Sequence, residues 1–420
     1  MDAVHDISKV PASFPVGFCL LTHKDRQYVA YYDAGRNMAV ASRTLDSDKW
    51  EYCTLPTRIG WDSHNYVTMA ADRDDCVHLS GNMHCVPLKY FRMHRAGDIT
   101  SFKRQGMTGR REGSCTYPHF IRGPAGDLLF KYRDGGSGDG VDLFNVYDEK
   151  TKAWRPLVDK PLIDGRRSGM SGYHAGPKRL ADGWFHMAIV WRDTGDCSTC
   201  HDISYVRSRD LLKWENGAGE PVELPIHYRS KGIIIDPVPA RGGLINMGFG
   251  VGLDHEKRPV VTYTKYDRDG KSQIYNARLE DGKWALHQAS DWSWRWAFRG
   301  GGAIPSALGA GAVRALPRGD LIQSYWHPQE GHGTWKLDPQ TLKAVGTHTG
   351  GGPRLPPGLQ KPESEFPGLK VRWAGDHGRS GERKVHYRLR WETLEPNRDR
   401  PRKGKLPEPS VLRLYRLVAP

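Results

Sequence analysis

The chain has 420 residues, a formal charge of +14, 48 glycines, 28 prolines, 14 tryptophans, 18 tyrosines and seven cysteines. No run of about 18 apolar residues occurs, which excludes a helical membrane span, and Gly plus Pro are too few for a low-complexity chain but suit many short strands joined by turns. The positive excess favours a polyanionic partner, whether nucleic acid, an anionic membrane surface or an acidic polysaccharide; with no basic helix, zinc finger or base-reading motif, nucleic acid is not expected.

The first residues, MDAVHDISKVPASFPVGFCLL, carry early acidic groups and Pro11 and Pro15, and do not resemble a secretory leader. Together with an odd number of scattered cysteines, this predicts a cytoplasmic protein if the chain is complete, and a secreted or periplasmic one if a leader has been removed. From there onward, short segments with period-two alternation or β-branched and aromatic enrichment recur: RQYVAYYD, MAVASRTL, NYVTMAAD, DLLFKYRD, WFHMAIVWR, DISYVRS, PVVTYTKYD, QIYNARLE, LIQSYWH, KVHYRLRW and SVLRLYRLV. Gly, Asp, Asn or Pro bounds nearly all of them, and helical periodicity is almost absent, so the fold class is all-β.

Four strand-like stretches, ASRTLDSDKW, NVYDEKTKAW, VRSRDLLKW and NARLEDGKW, lead through a polar turn to a tryptophan, at Trp50, Trp154, Trp214 and Trp284. The pattern is a degenerate form of the Ser-x-Asp-x-Gly-x-x-Trp turn between outer strands of sialidase-like propeller blades, and its spacing favours a radially repeated structure. Seven blades of about 60 residues would use up the chain. The expectation is a seven-bladed β-propeller in one domain, residues 1–420, closed by pairing the two ends, with 396–410 a proline-rich and basic loop. From Lys370 to Pro420 there are 14 Lys and Arg against 6 Asp and Glu, a basic face or a substrate surface.

Two polar blocks stand out from this regular text. WDSHN at 61–65 places His64 beside Asp62 and Asn65, and GNMHC at 81–85 places His84 behind Asn82 and Met83. Imidazole titrates near neutral pH, so two such rings form a candidate acid/base pair. Further on, Cys197-Ser-Thr-Cys200-His201 has a spacing used for tetrahedral zinc. With outside donors it predicts a structural zinc held by His119, His186, Cys197 and Cys200, with His201 the substitute if the register shifts.

The WDSHN and GNMHCVPLKYFR blocks, with TYPHF at 116–120, FKYRDGGSGDG at 130–140, WFHMAIVWRDTGDCSTCHDISYVRSRD at 184–210 and RWETLEPNRDRPRKGKLPEPSVLRLYRL at 390–417, resemble the propeller polysaccharide lyases and their BNR-repeat relatives, a family that includes ulvan lyases and rhamnose–glucuronate lyases. The resemblance implies a lyase that cleaves a uronic-acid-containing polysaccharide of rhamnose–glucuronate type by β-elimination, and it supports the zinc. Carried over residue by residue, His64 and His84 match the family's histidine pair, and Tyr117 and Arg133 its catalytic tyrosine and arginine. Tyr173 of SGYHAG matches a substrate-contacting tyrosine, and Asn65 and Arg192 complete the expected substrate contacts. Chemistry assigns Arg133 to the uronate carboxylate, where a guanidinium fork suits two oxygens. Tyr117 and the histidines then share the base and acid roles, in an order left open by whether the C5 proton lies syn or anti to the leaving group. The alternatives on the same scaffold are a glycoside hydrolase, which would want a carboxylate pair or a tyrosine–glutamate pair, and a non-catalytic carbohydrate-binding propeller.

Overall fold

The structure is a computed structural model that describes residues 3–317, 319–350, 355–382 and 384–418. Among the described residues there are strands and four short 3-10 turns, with no α-helix, as the period-two text predicts. Antiparallel hairpins build the sheets in chain order. The first holds Cys19–His23, Arg26–Tyr32, Asn37–Thr44 and Glu51–Arg58; the second Val67–Ala71, Val77–Gly81, Tyr90–Arg92 and Lys103–Gln105. Cys115–Arg122, Leu128–Gly136, Asp139–Asp148 and Ala153–Pro156 lead the third, and Ser171–Arg179, Phe185–Arg192, Cys200–Ser208 and Trp214–Glu215 the fourth.

A nine-stranded sheet follows, in which one parallel pair, Leu253 with Arg314, joins the hairpins of 250–288 to those of 314–347. The last sheet closes the chain on itself. Ser410–Val418 lies between Val385–Thr393 and the N-terminal strand Ala3–Val10, with Val4 opposite Tyr415 and Val10 opposite Ser410.

Burial within a sheet falls from the middle to the outer edge. Every residue of Phe185–Arg192 is buried, because neighbouring sheets cover both its faces. Glu51–Arg58, a fourth strand, buries only Leu55. The apolar clusters lie between successive sheets: Met83, Leu88 and Tyr90 pack on Phe120, Phe130 and Trp154, while Leu129, Phe144 and Val146 pack on Met187, Ile189 and Trp191. The cluster holding Tyr28, Val29 and Leu79 also takes in Ile7, Leu389 and Leu412, so both chain ends join the core of the first two sheets.

The tryptophan turns occupy one structural position. Trp50 immediately precedes the fourth strand Glu51–Arg58, and Trp154, Trp214 and Trp284 lie in the fourth strands Ala153–Pro156, Trp214–Glu215 and Lys283–Gln288. Before Trp154 and Trp214 the geometry comes from an aspartate that accepts backbone N–H groups across the turn. Asp148 Oδ1 takes those of Lys150 and Thr151 at 2.8 and 3.0 Å, and Asp210 Oδ1 those of Leu212 and Lys213, both at 2.8 Å. Asp338 does the same before Ala344–Thr347, in a copy without tryptophan that the pattern missed.

Candidate active site

Five predicted residues converge from five segments. His64 lies on the loop from the first sheet to the second, His84 on the turn between Val77–Gly81 and Tyr90–Arg92, Tyr117 and Arg133 on the paired strands Cys115–Arg122 and Leu128–Gly136, and Tyr173 on Ser171–Arg179. The two imidazole rings stand 4.3 Å apart between centroids, and Tyr117 meets His64 edge-on at 6.0 Å.

Asp62 ties the histidines together. Its Oδ1 accepts from the His64 backbone N–H at 2.9 Å and from His64 Nδ1 at 2.8 Å, and its Oδ2 binds His84 Nδ1. The sequence marks Asp62 only as a neighbour able to orient His64; in the structure it orients both rings. Burial alone would raise the Asp62 carboxyl, but the two histidines outweigh it and hold it well below the usual carboxylate range. Burial likewise opposes charge on His64, and is outweighed by Asp399 and Asp62, which lift the ring to about 9. His64 is therefore an imidazolium at neutral pH. With both Nδ1 atoms turned to carboxylates, no hydrogen bond within the described residues engages either Nε2.

Arg133 is 2% exposed. It donates from Nη1 to the Tyr173 hydroxyl at 3.1 Å and from Nε to the Gly135 carbonyl at 3.2 Å, and its guanidinium carbon lies 4.9 Å from the centre of the Tyr117 ring. Among the described residues it makes no ion pair with a carboxylate. Tyr117 owes its aim to a break in the strand: pairing slips between Thr116 and His119, and Tyr117 adopts φ +57, a left-handed conformation costly for a bulky residue. Burial pushes its phenol well above the usual tyrosine range. Tyr132, one residue from Arg133, turns the other way into the core, as strand alternation requires. A cavity of about 250 Å³ opens beside this group, lined among others by Tyr117, Arg133, Tyr173, Lys131, His174 and Phe249.

The remaining substrate candidates sit at its edges. Asn65 accepts from the Tyr32 hydroxyl through its backbone carbonyl at 2.6 Å, while its Oδ1 is buried without a partner among the described residues. Arg192 borders the site from behind: its guanidinium lies 5.6 Å from the Tyr173 ring and donates to the Thr194 and Gly195 carbonyls.

The predicted zinc set is not brought together. His186 pairs with Arg207 and Cys200 with Arg192, so the two lie six residues apart along the hairpin, about 20 Å. His119 sits in another sheet opposite Lys131, and burial next to that lysine depresses it to about 3. Both ring nitrogens of His186 are engaged, Nδ1 by the Tyr205 hydroxyl at 2.7 Å and Nε2 by Asp182 at 3.0 Å. The substitute, His201, is held in the same way by Asp202 at 2.9 Å and Asp193 at 3.0 Å. Cys197 is buried as a free thiol, and burial raises Cys200 to about 12, a protonated thiol facing Asn246 Oδ1 at 3.5 Å. These residues do not fit a zinc ion. Among the described residues only Asp62, His64 and His84 lie close enough together to hold a cation. The His64–Asp62 separation of 2.8 Å is that of a hydrogen bond, shorter than the ligand–ligand edge of about 3.3 Å around tetrahedral zinc.

Two comparisons place this geometry among known proteins. The crystal structure of the polysaccharide lyase Uly1 is similar over 100% of this chain and 99% of that one, at 15% identity and a TM-score of 0.68. A PL25 ulvan lyase bound to -[GlcA(1-4)Rha3S]- is similar over 98% and 95%, at 14% identity and a TM-score of 0.64. At such identities the likeness is one of fold, and it makes the stacked sheets those of a propeller-like scaffold. No curated protein sequence matches the chain. A profile described as BNR repeat-containing family member matches residues 26–292, more than half of the chain. The chain belongs to the BNR repeat-containing family.

Proposed function

We propose that the protein is a lyase that cleaves a uronate-containing glycan of rhamnose–glucuronate type by β-elimination, on a single-domain seven-bladed propeller. The blade count takes the nine-stranded sheet as two four-stranded blades touching at Leu253 and Arg314. The observation that carries the activity is Arg133, a guanidinium buried among tyrosines that makes no ion pair among the described residues, the Asp142 carboxylate on the neighbouring strand being hydrogen-bonded to His174. Burying a charge that no direct ion pair satisfies is costly, and an anionic ligand that binds bidentately offsets part of that cost. A uronate carboxylate has the right charge and plane.

The C5 proton of a uronate is a poor acid because its loss places more negative charge next to an existing carboxylate. Arg133, with Tyr117 and Tyr173 around it, neutralises that carboxylate as the charge develops. His84, with Nδ1–H committed to Asp62, presents the Nε2 lone pair and takes the C5 proton. The C5–H electron pair becomes the C4–C5 double bond, the C4–O4 bond breaks, and the His64 imidazolium delivers its proton to O4. Donor and acceptor sit on adjacent rings, so the geometry suits a substrate whose C5–H and C4–O4 bonds lie on one side. A hydrolase needs two carboxylates free to act on the glycosidic bond, whereas Asp62 is committed to both histidines.

Two further facts support an anionic glycan: the charge of +14 and the glucuronate–rhamnose sulfate ligand of the similar ulvan lyase. The test is incubation with a panel of uronate polysaccharides under ultraviolet detection. Growth of the unsaturated-uronate absorbance is expected on at least one of them; new reducing ends without absorbance would mean hydrolysis and defeat the reading.

A further inference from the structure

The basic loop that follows Val385–Thr393 returns to the site and places a second carboxylate on His64. Asp399 Oδ1 accepts from the Ser63 backbone N–H at 3.2 Å and the Ser63 hydroxyl at 2.9 Å. Its Oδ2 accepts from the Ala303 N–H at 2.8 Å and lies 3.3 Å from His64 Nδ1. One side chain thus joins three segments that are remote in sequence. It is 12% exposed, and its one ion pair among the described residues is with His64, although the loop is rich in Arg and Lys.

The backbone around it is strained to make this contact. Arg398 and Asp399 both adopt left-handed conformations, φ +55 and +60, each costing on the order of 1–3 kcal/mol for a non-glycine residue. The strain is held by Arg398, whose Nη1 donates to the carbonyls of Arg299 at 2.8 Å and Gly301 at 3.0 Å, and by its own N–H on the Ala303 carbonyl at 3.2 Å. Gly302 is shaped for this approach: a Cβ there would meet the Arg398 carbonyl at 2.7 Å. The neighbouring cation is therefore turned away to backbone carbonyls while the carboxylate is delivered to the histidine.

We infer that Asp399 is a positioning residue for the proposed elimination: the loop 397–400 clamps Ser63 and the His64 ring so that His64, held between two carboxylates, is the proton donor of the histidine pair and His84 the acceptor. The groups facing His64 are Asp62 on its own loop, His84 tilted against it, Tyr117 edge-on from Cys115–Arg122, and Asp399 from this loop. Arg133 lies over Tyr117. Asp399 and Asp62 are thus the two anions that favour a charged ring, against burial.

The inference rests on the lyase reading, and its test separates the two. In the full chain with ring-labelled histidines, the His64 resonance is followed by NMR against pH in wild type, Asp399→Asn, Asp399→Glu and Ser63→Ala, alongside the pH profile of elimination. Asp399→Asn is expected to lower the His64 midpoint by at least one unit, a tenfold change in proton affinity. The alkaline limb of kcat should move by the same amount, with KM within about twofold. Asp399→Glu and Ser63→Ala, which keep the charge, are expected to stay near wild type in titration. A folded Asp399→Asn protein with an unmoved His64 midpoint, a loss of kcat without a shift of the profile, or a lowered midpoint in Asp399→Glu would overturn it. A wild-type protein that eliminates no uronate, yet shows the Asp399-dependent titration, would refute the lyase reading and leave the clamp standing.

Discussion

Arg133 and His64 are two cations kept in place by opposite means. His64 is charged because two carboxylates surround it, whereas Arg133 is charged because a guanidinium stays protonated even when buried. Of the two, only Arg133 makes no ion pair among the described residues. Arg133→Ala is expected to lower kcat/KM by about 10³-fold or more while leaving the melting transition near wild type, since an unpaired buried charge contributes little to stability. Arg133→Lys should fail to rescue, because a point ammonium cannot offer two parallel N–H groups to a carboxylate. Steady-state kinetics with a thermal melt checks both.

His64 sets the pH dependence. Its folded value of about 9 lies above the ordinary 6.5, so its contribution to stability is fully present below about 6.5 and is lost as pH rises through about 9. With His64 as proton donor, turnover should fall along the same alkaline limb, centred near 9; a rate that keeps rising through pH 10 would contradict its role. At this scale the sequence was informative wherever the residue type itself carries the chemistry. His64 and His84 could be picked out because imidazole carries acid/base chemistry near neutral pH, whereas Tyr117 and Arg133 stood out only through the resemblance of TYPHF and FKYR to the propeller lyases. Asp399 could not be picked out, since nothing in EPNRDRPRKGK distinguishes one aspartate that folds back over 336 positions to Ser63.

Among elements, the Trp turns show what sequence carries well. An aspartate that accepts two backbone N–H groups is a local device, so its pattern survives in text, at Asp148 and Asp210 and their tryptophans. The bulge at Tyr117 is a different case: its left-handed backbone depends on how Cys115–Arg122 pairs with Leu128–Gly136, and no residue nearby announces it. Tyr117→Phe should keep the bulge and the melting temperature while lowering kcat, because only the hydroxyl is lost.

The Cys197–Cys200 pair misled for a related reason. Ligand spacing is necessary for a metal site but says nothing about whether distant donors are free, and His186 is occupied by Tyr205 and Asp182 on its own sheet. Chelator treatment is therefore expected to leave both activity and melting temperature unchanged. A drop of several degrees, with stoichiometric zinc released, would contradict the geometry.

For the molecule as a whole, the alternation of apolar and polar positions was enough to define an all-β chain, because a sheet's period of two is written directly into sequence. How sheets meet was less legible, since the single bridge from Leu253 to Arg314 depends on three-dimensional proximity alone. The closure by Ala3–Val10 on Ser410–Val418 buries Ile7 and Val10 in the core of the first sheets. Each such side chain is worth about 1.5–3 kcal/mol. Removing residues 1–10 should therefore lower the melting temperature by several degrees, measured by calorimetry, and an unchanged transition would mean the closing strand is dispensable.

The same closure brings the C-terminal loop over the first sheet, which is how Asp399 reaches Ser63 and how a site spread over the chain becomes one group of residues. The central claim is that this group breaks a C4–O4 bond without adding water. Mass spectrometry of the products from a defined glucuronate–rhamnose oligosaccharide tests it directly. Wild type is predicted to give two fragments whose masses sum to that of the substrate, one of them an unsaturated uronate, with neither formed by Arg133→Ala. Fragments whose masses sum to the substrate plus one water would contradict it.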